Sequence, residues 1–363
     1  MAVTLADVAA RAGVSSATVS RVLNGNYPVS GSTRERVQRA VEELDYVVNG
    51  QARALAAATS DLVGVLVNDV ADPFFGILAS ALQTEIGAGA AQRGGGGKLA
   101  VVCNTGGSPE AELTYLTLLE RQRAAGVVLT GGAVESEEHT AAVRARLVRL
   151  AASGTRIVLC GRPPLTGPDD GPPVTTVTFD NRGGARRLTE HLLSLGHRRI
   201  GYVAGPVERS TTRHRLEGHR EALAARGLGP DTPEGAGALR LTVHGSYDRP
   251  SGYDAALELL RREPRLTAIV AANDSVALGV CAALRDRGLS IPDDVSVAGF
   301  DDLPFSADAC PALTTVRIPL AEAGTRAGRL AMGRQSPPPG GVATITTELI
   351  VRASTAPPVT SGS

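Results

Sequence analysis

The segment TLADVAARAGVSSATVSRVLN, residues 4–24, constrains the fold more than any other stretch of this chain. A threonine followed three residues later by an aspartate is the signature of a capping box, so we expect a first helix over residues 5–12. Gly13 then permits a tight turn, and Ser15 can cap a second helix over residues 16–24. Two short helices joined in this way form a helix-turn-helix, an arrangement that reads DNA in many proteins.

A third helix is expected after Ser30, which would complete a small three-helix module. The apolar positions of the three helices recur at spacings that bury one face of each. The residues expected in this core are Leu5, Val8, Val14, Val19, Val22, Leu23, Val37, Val41 and Leu44. The pattern by itself leaves an alternative open, because ordinary surface modules that contact no nucleic acid carry it as well.

The segment after the module, YVVNGQARALAAATS, favours the DNA-binding hypothesis. Asn49 can cap a further helix over residues 50–57, which is small and apolar with one large side chain, Leu55. A helix this short is marginal by itself in water. We therefore expect it to become ordered only when it packs on a partner or on DNA.

Residues 4–57 resemble the headpiece and hinge helix of the lactose/galactose repressor family. The resemblance lies in the signature of residues 4–24, in the third-helix segment VSGSTRERVQRAVEELDYVVN and in the ARALA hinge. It implies that the second helix enters the major groove of double-stranded DNA. It also implies that the paired hinge helices of a dimer insert a leucine into the minor groove at the central base step.

On this resemblance, Ser16, Ala17 and Arg21 occupy the base-reading positions, and Leu55 is the wedge. An arginine suits a bidentate contact with guanine, whereas an alanine offers only apolar contact. Contacts with phosphates or with the DNA backbone are expected at Thr4, Ser15, Thr18, Ser20, Asn24 and Asn49. Helix capping alone could explain most of the serines and threonines in this set.

From Leu62 onward, short β-branched runs alternate with helical stretches. The runs that predict strands are LVGVLV, LAVVC, GVVLTG, RIVLC, VTTVTF, RIGYVAG, TAIVAAN and DVSVAGF. This alternation is typical of a doubly wound α/β fold. Because so many strands exceed one comfortable sheet of this type, we expect two subdomains with a cleft between them.

The expected organisation is therefore an N-terminal three-helix helix-turn-helix headpiece with a hinge helix, followed by an α/β core of two doubly wound subdomains. The predicted boundaries are 1–48 for the headpiece, 49–60 for the hinge helix and linker, 61–352 for the core and 353–363 for a disordered tail. Within the core, the first subdomain is expected to cover about 61–180 and 314–340, and the second about 181–313 and 341–352.

Polar and aromatic residues cluster where the predicted strands end, which is where ligands bind in sheets of this type. All five phenylalanines of the chain, at positions 74, 75, 179, 300 and 305, lie at or just beyond such ends. Apolar rings beside carboxylate, amide and guanidinium groups suit a polyhydroxylated ligand. For single residues a structural role stays open: Asn273 and Asp180 could simply cap helices, and Phe300 could belong to the core.

The family resemblance extends over this region to essentially the whole chain, through NDVADPFF, RHRLEGHREAL, ANDSVALGVCAALRDRGLSIPDDVSVAGFDD and PALTTVRIP. It implies an effector-binding core similar to periplasmic sugar-binding proteins. The positions that match ligand contacts of the family are Phe74, Phe75, Arg162, Phe179, Asp180, Arg209, Arg215, Asn273 and Asp301. Arg215 and Asp301 are expected to hold ligand hydroxyls from opposite strand ends, and residues 315–318 to lie beside the first subdomain.

The sequence argues against several classes of function. Lysine plus arginine and aspartate plus glutamate number 37 each, so the chain has no overall bias toward polyanions. Cysteines 103, 160, 281 and 310 fit no metal motif, and no motif predicts a cofactor. GxSxG, HExxH and CxxC are absent. The sequence shows no signal peptide and no apolar run near the ~20 residues that span a membrane, so we expect a reducing cytoplasm.

The sequence thus predicts a sequence-specific, homodimeric transcriptional regulator of a palindromic operator. It is expected to be a repressor of carbohydrate-utilisation genes that a sugar or sugar phosphate releases by shifting a conformational population. The alternative is a sugar-binding transport protein or a sugar-processing enzyme on the same core. The missing signal peptide speaks against the first of these, and the lack of a nucleophile–base or metal constellation speaks against the second.

Overall fold

The computed structural model describes residues 3–24, 28–46, 59–88, 98–165, 174–229 and 238–359. The chain divides into two compact units, Met1–Asp61 and Leu62–Ser363, which are treated separately below. The predicted hinge helix, with Asn49 and Leu55, lies outside the described residues.

The first unit contains the three predicted helices, α1 (Leu5–Ala12), α2 (Ser16–Asn24) and α3 (Gly31–Glu43). The capping box is present, since Thr4 N donates to the Asp7 carboxylate at 2.8 Å and Asp7 N donates to Thr4 Oγ1 at 3.4 Å. These two bonds satisfy backbone donors that the first turn of a helix would otherwise leave unpaired.

The turn between α1 and α2 depends on Gly13, whose φ of +63° lies in the left-handed region that favours glycine. The predicted core of this unit is confirmed, because all the predicted residues pack in one apolar cluster. Val8, Val19 and Val37 are fully buried. The residues that pack around these three are Leu5, Ala9, Ala12, Val14, Val22, Leu23, Ala40, Val41, Leu44 and Tyr46.

The second unit alternates strands and helices, as predicted. In chain order its elements are β1 (Leu62–Val67), α4 (Pro73–Gly87), β2 (Leu99–Asn104), α5 (Pro109–Arg121), β3 (Gly126–Thr130), α6 (Glu137–Ala152), β4 (Arg156–Cys160), β5 (Val174–Phe179), α7 (Asn181–Ser194), β6 (Ile200–Ala204), α8 (Ser210–Ala224), β7 (Thr242–His244), α9 (Arg249–Arg262), β8 (Ala268–Ala271), α10 (Asp274–Asp286), β9 (Ser296–Ala298), α11 (Phe305–Asp308), β10 (Thr315–Arg317), α12 (Leu320–Ala331), β11 (Val342–Ile345) and β12 (Glu348–Ile350). Short 3-10 turns at Ala238–Leu241 and Pro339–Gly341 precede β7 and β11.

The first subdomain is a six-stranded parallel sheet in the order β11-β5-β4-β3-β1-β2. Side chains alternate between its two faces, because successive residues of a strand point in opposite directions. Val63 and Val65 of β1 pack against α4 and α12, whereas Leu66 packs against α5 and α6. Burial of both faces explains why the strands read as continuous apolar runs.

The second subdomain is a four-stranded parallel sheet in the order β7-β6-β8-β9. Helices α7 and α8 cover one face, and α9 and α10 cover the other. The last two helices approach closely through glycines. A Cβ at Gly279 would lie 2.0 Å from the Arg249 carbonyl oxygen, and one at Gly252 would lie 2.2 Å from the Val276 oxygen. No larger side chain fits at either position without separating the helices.

Two predicted subdomain boundaries are wrong. β11, placed by prediction in the second subdomain, pairs with β5 in the first sheet. Residues 315–318, expected beside the first subdomain, follow the segment that leaves β9: Gly299 N donates to Thr314 O at 2.9 Å and Asp301 N to Val316 O at 2.7 Å. The backbone donors beyond the end of β9 need partners when buried, and β10 supplies them.

The predicted tail disorder is wrong for residues 353–359, which the structure describes. Ser354 is fully buried, and its hydroxyl donates to Val297 O at 2.5 Å and accepts from Thr314 N at 2.8 Å. His197 Nε2 lies 2.9 Å from Ala356 O, so the tail crosses the edge of the second sheet. Its composition predicts disorder, but its backbone completes hydrogen bonds of neighbouring strands. Residues 360–363 lie outside the described part.

His219 on α8 lies in the interior of the second subdomain. It is 3 % exposed, its ring centroid lies 4.6 Å from that of Tyr202, and Nδ1 lies 2.9 Å from Thr189 Oγ1. Thr189 Oγ1 also donates to Ala185 O at 2.9 Å, so the hydroxyl accepts from Nδ1–H of His219. Burial, assisted by the nearby Arg220 charge, lowers the pKa of His219 to about 3.

We expect this buried imidazole to make folding pH-dependent. The depressed pKa means that the unfolded chain binds a proton near pH 6.5 while the folded chain does not, so stability falls as pH falls through 6.5. From pH 7.5 to pH 5.0 the wild type should lose roughly 2 kcal/mol that His219→Gln does not lose. Urea unfolding of both proteins at the two pH values measures this. Equal losses in wild type and variant would contradict it.

Candidate functional site

The exposed face of α2 carries the predicted base-reading residues. Ser16, Ala17 and Arg21 are exposed, and Thr18 and Ser20 are half-buried. None of these side chains belongs to the core of the head, so the structure leaves this face polar as predicted.

Three residues of the predicted DNA-contact set lie at the ends of helices. The Ser15 hydroxyl accepts from Thr18 N at 3.2 Å, as Thr4 does for α1, so the capping explanation holds for these two residues. A capping side chain lies at the helix N-terminus, where backbone N–H groups favour phosphates. Asn24 is the last residue of α2.

The core contains a cleft between its two subdomains, at the carboxyl ends of the parallel strands. Of the predicted effector residues, Phe74, Phe75, Phe179, Arg209, Arg215, Asn273 and Asp301 line it. The other lining residues are Asn68, Asp72, Gly131, Gly132, Gly161, Asn181, Thr211 and Tyr247. Parallel strands of both sheets end here, and this brings together side chains that are far apart in sequence.

One wall of the cleft is aromatic. The Phe74 ring meets the Phe75 ring edge-on at 5.0 Å between centroids and the Phe179 ring at 6.4 Å. Two glycines with positive φ let these rings approach the strand ends. A Cβ at Gly131 would lie 2.8 Å from Phe75, and one at Gly161 would lie 2.9 Å from Phe179. The rings form an apolar surface of the first subdomain that suits the C–H face of a sugar.

The opposite wall centres on Arg215 of α8. Its guanidinium donates to Asn181 Oδ1 at 2.8 Å, to Asp301 Oδ1 at 2.8 Å and to the Ala272 carbonyl at 2.5 Å. It also lies over the Phe300 ring, 3.7 Å from the centroid. Arg215 is therefore held rigidly by groups that follow β5, β8 and β9. Phe300 itself is 2 % exposed, which agrees with the core role left open for it.

Asp301 combines burial, a charged partner and an unusual backbone. It is 3 % exposed and has a φ of +107°, a conformation that L-residues rarely adopt. Burial raises the pKa of its carboxyl to about 7, against the opposing effect of Arg215. Burial also raises the pKa of Asp72, across the cleft. The Asp301 carboxyl can thus either donate or accept a hydrogen bond near neutral pH.

Asp274 supports the loop that carries Asp301. Its carboxylate accepts from Leu303 N at 2.8 Å, from the Ser306 hydroxyl at 2.7 Å and from the Thr315 hydroxyl at 2.6 Å. Burial raises the pKa of Asp274 to about 6 despite these bonds. The loop after β9 is thereby tied to the start of α10 and to β10.

Asn273 both caps a helix and lines the cleft. Its Oδ1 caps α10 by accepting from Val276 N at 2.8 Å, and its Nδ2 donates to Tyr247 O at 3.3 Å while the side chain lines the cleft. The Tyr247 hydroxyl lies 2.6 Å from Thr212 Oγ1, which fixes the ring at the edge of the site.

Contacts between the subdomains hold the cleft narrow. Arg209 donates to the carbonyls of Gly132 at 3.2 Å and Gly107 at 2.5 Å, and Ser210 N donates to Ala133 O at 3.0 Å. The cavity of about 60 Å³ is far below the ~300–1,000 Å³ of typical ligand pockets. A bound sugar therefore requires the subdomains to separate or the lining side chains to move.

Two predicted effector residues do not line the cleft. The Arg162 guanidinium bonds to Glu112 at 3.0 and 2.5 Å and lines a different cavity of the first subdomain. Gly161, at positive φ, occupies the cleft position instead. Asp180 caps α7 by accepting from Gly183 N at 2.9 Å and binds Arg187 at 3.1 Å. The two charged groups are thus paired outside the cleft lining, Arg162 with Glu112 of α5 and Asp180 with groups of α7.

Sequence reasoning missed several lining residues. Asn68, Asp72 and Asn181 belong to strand-end stretches that the sequence singles out, so the strand-end rule could have found them. Tyr247 follows β7, a strand of three residues that no periodic pattern reveals. Thr211 lies next to Gly132, where a Cβ would come within 2.4 Å of its hydroxyl, and only the packed subdomains show this contact.

No helix among the described residues is long and apolar enough to cross a membrane. No group of three or more histidine, cysteine, aspartate or glutamate side chains in this part of the chain could hold a metal ion.

A helix-turn-helix head followed by a core of two parallel-sheet subdomains with a polar and aromatic cleft between them defines the class of ligand-responsive DNA-binding regulators. Two family models match the chain accordingly: "Bacterial regulatory proteins, lacI family" over residues 4–49 and "Periplasmic binding protein-like domain" over residues 189–355. The chain belongs to the lacI family of bacterial transcriptional regulators. Relatives of this kind are regulators and not enzymes.

Similar proteins match over nearly the whole length. The HTH-type transcriptional regulator GalR of Escherichia coli is 35 % identical over 329 residues, which cover 91 % of this chain and 88 % of GalR. A crystal structure of the Lac repressor dimer bound to operator and the anti-inducer ONPF matches with a TM-score of 0.75 and 29 % identity, covering 98 % and 100 % of the two chains. A complex of the transcriptional regulator CelR with cellobiose matches with a TM-score of 0.65 and 34 % identity, covering 97 % and 99 %.

Proposed function

We propose that this protein is a homodimeric repressor of carbohydrate-utilisation genes whose affinity for a palindromic operator is controlled by a sugar or sugar phosphate bound in the interdomain cleft. The observation that carries the proposal is the combination, in one chain, of an exposed polar α2 and a cleft that opposes aromatic rings to an arginine–aspartate pair. Since operator DNA of a bacterium lies in its cytoplasm, we place the protein there.

The proposed division of roles combines the exposed face of α2 and the lining of the cleft with the family resemblance. Ser16, Ala17 and Arg21 read base edges, and Leu55 is the minor-groove wedge. The residues proposed for phosphate or DNA-backbone contacts are Thr4, Ser15, Thr18, Ser20, Asn24 and Asn49. The residues proposed for effector contact are Phe74, Phe75, Phe179, Arg209, Arg215, Asn273 and Asp301. We include Asp72, Asn181 and Tyr247 in the proposal because they also line the cleft.

The proposed mechanism is a shift between two arrangements of the subdomains. The contacts of Arg209 and Ser210 across the cleft favour the narrow arrangement, and a ligand changes the balance by bonding to groups on both walls. A ligand can shift the operator affinity only by the difference between its affinities for the two arrangements. We expect the sugar to lower operator affinity.

The full-length protein tests this proposal directly. Bound duplexes are selected from a random DNA pool and sequenced, once without ligand and once with a mixture of galactose, ribose, cellobiose and glucose 6-phosphate. One palindrome of about one and a half helical turns with a flexible central step is expected without ligand. A ligand that lowers its enrichment is the effector. No enrichment under either condition would contradict the proposed function.

Arg21→Ala tests base reading by α2. If Arg21 makes a bidentate contact with guanine, its loss should cost ~1–3 kcal/mol and relax specificity at one base pair of each half-site. Fluorescence anisotropy at fixed salt, with the selected operator and with single-base-pair variants, measures this.

The matched control for that experiment is Arg39→Ala, which removes the same charge from an exposed position of α3. We expect it to leave the base preference unchanged. A uniform loss of affinity over all duplexes for Arg21→Ala would mean that Arg21 contacts a phosphate and does not read a base.

Asp301→Asn tests whether the effector acts through the cleft. It removes the carboxylate that pairs with Arg215 while keeping the side-chain size, so the operator affinity without ligand should stay within about twofold and the response to the effector should be lost. Operator binding titrated against effector concentration measures both quantities. Asp308→Asn, exposed on α11, is the control and should respond like the wild type. Loss of operator binding itself would instead assign Asp301 to the fold.

A further inference from the structure

Three described segments of the core pass from one subdomain to the other, and they form the hinge of the cleft. Residues 179–181 connect β5 of the first sheet to α7 on the second. Residues 313–318 run through β10 toward α12 on the first sheet, and residues 345–352 run from β11 through β12 back to the second subdomain. Any change in the relative orientation of the subdomains must bend these three crossing segments.

Arg187 on α7 bonds to the first and third crossing segments. Its guanidinium donates to the Asp180 carboxylate at 3.1 Å, to the Thr347 carbonyl at 2.9 Å and to the Thr347 hydroxyl at 2.6 Å. The Thr347 hydroxyl in turn donates to the Asp180 carbonyl at 3.2 Å. These two segments are therefore held together by a charged side chain of the second subdomain.

Asp302 bonds to the second and third crossing segments. Its Oδ2 accepts from Arg317 Nε in β10 at 2.7 Å, and its Oδ1 accepts from Arg352 Nη2 after β12 at 2.7 Å. Arg352 Nη1 also donates to Leu313 O at 2.8 Å, and Arg317 Nη1 lies 3.5 Å from Glu348 Oε2. The Asp302 side chain is only 8 % exposed. Each oxygen of this largely buried carboxylate thus makes a charge-assisted bond to a different crossing segment.

A strained turn of the backbone joins Asp302 to the cleft. Asp301 has a φ of +107° and Asp302 a φ of +56°, and neither residue is a glycine. Such a conformation persists only where the surrounding structure holds it. Here the Asp301 carboxylate is held by Arg215 in the cleft, and the Asp302 carboxylate is held at the hinge. Because the two residues are adjacent and both are bonded, Asp301 cannot move far without moving Asp302.

We infer that Asp302 is a positioning residue that controls the hinge and through which a sugar bonded to Asp301 changes the orientation of the subdomains. The part played by the sugar rests on the function proposed above, whereas the control of the hinge does not. Removal of a largely buried carboxylate from both of its arginines is costly, so Asp302 and the two crossing segments move together. A sugar that displaces Asp301 therefore acts on β10 and on the segment after β12.

Distances between the subdomains test the control of the hinge without any ligand. The full-length protein carries Arg121→Cys on α5 and Ala224→Cys on α8, both at exposed positions, in a Cys310→Ser background, since the other three cysteines are buried. Spin-labelled protein is refolded together with an excess of unlabelled protein, so that each measured pair of labels lies in one protomer. Pulsed electron paramagnetic resonance then gives the distribution of distances between the two labels.

Asp302→Asn should broaden or shift this distribution, because it weakens both arginine bonds while asparagine keeps the side-chain size and tolerates a positive φ. Arg317→Gln removes one bond from its more exposed partner and should act in the same direction, which keeps the test decisive if Asp302→Asn does not fold. The exposed controls Asp308→Asn and Arg261→Gln lie within the second subdomain and should leave the distribution unchanged. A lower urea midpoint with unchanged native distances would show a purely structural role and overturn the inference.

The sugar response separates positioning from direct contact. Galactose, ribose, cellobiose and glucose 6-phosphate are titrated into wild type and Asp302→Asn by calorimetry, and operator affinity is measured with and without each sugar. In Asp302→Asn the sugar affinity should stay within about threefold, while the factor by which the sugar changes operator affinity should fall roughly fivefold or more. An unchanged factor would overturn the inference. If none of the four sugars binds the wild type, the function proposed above loses its support, and the distance measurement alone decides whether Asp302 controls the hinge.

Discussion

The hydrogen bonds of Arg215 organise the second subdomain at the point where it meets the cleft. A guanidinium that is 3 % exposed must have its donors matched, and the partners come from the start of α7, the end of β8 and the loop after β9. Because the loop also bonds to β10 through Asp301 N, the same network connects the cleft to the chain segment that returns to the first subdomain. A ligand that bonds to this pair therefore contacts the junction of both subdomains.

The buried ion pairs of the two subdomains differ in the direction in which the pKa of the carboxyl group is shifted. In the cleft, Arg215 pairs with an aspartate whose own pKa burial raises to about 7, so the polar centre is poised between ionised and neutral forms. In the first subdomain, Arg162 pairs with Glu112, whose pKa stays well below its usual range. Buried ion pairs contribute little net stability compared with apolar packing, so stability alone does not account for these two pairs.

Local sequence signals predict some of the cleft residues and miss others. The strand-end rule finds Phe74, Phe179 and Asn273 because it depends only on where parallel strands end. The same rule wrongly predicts Arg162 as a cleft residue. It correctly places Arg162 at the carboxyl end of β4, but it does not give the direction of a long side chain. A nearby carboxylate decides that direction, and Glu112 lies 50 residues earlier in the chain. Tyr247 follows a strand too short to produce a periodic signal.

The sequence by itself determined the elements of this protein: the capped helices of the head, the strands of the core and the edge of the sheets where ligands bind. These follow from local signals, namely capping residues, left-handed glycines and the spacing of apolar residues. Only the tertiary structure decided the pairing of β11 with β5, the order of residues 353–359 and the narrowness of the cleft. Those features depend on hydrogen bonds and charge pairs between residues far apart in the chain, which no local pattern encodes.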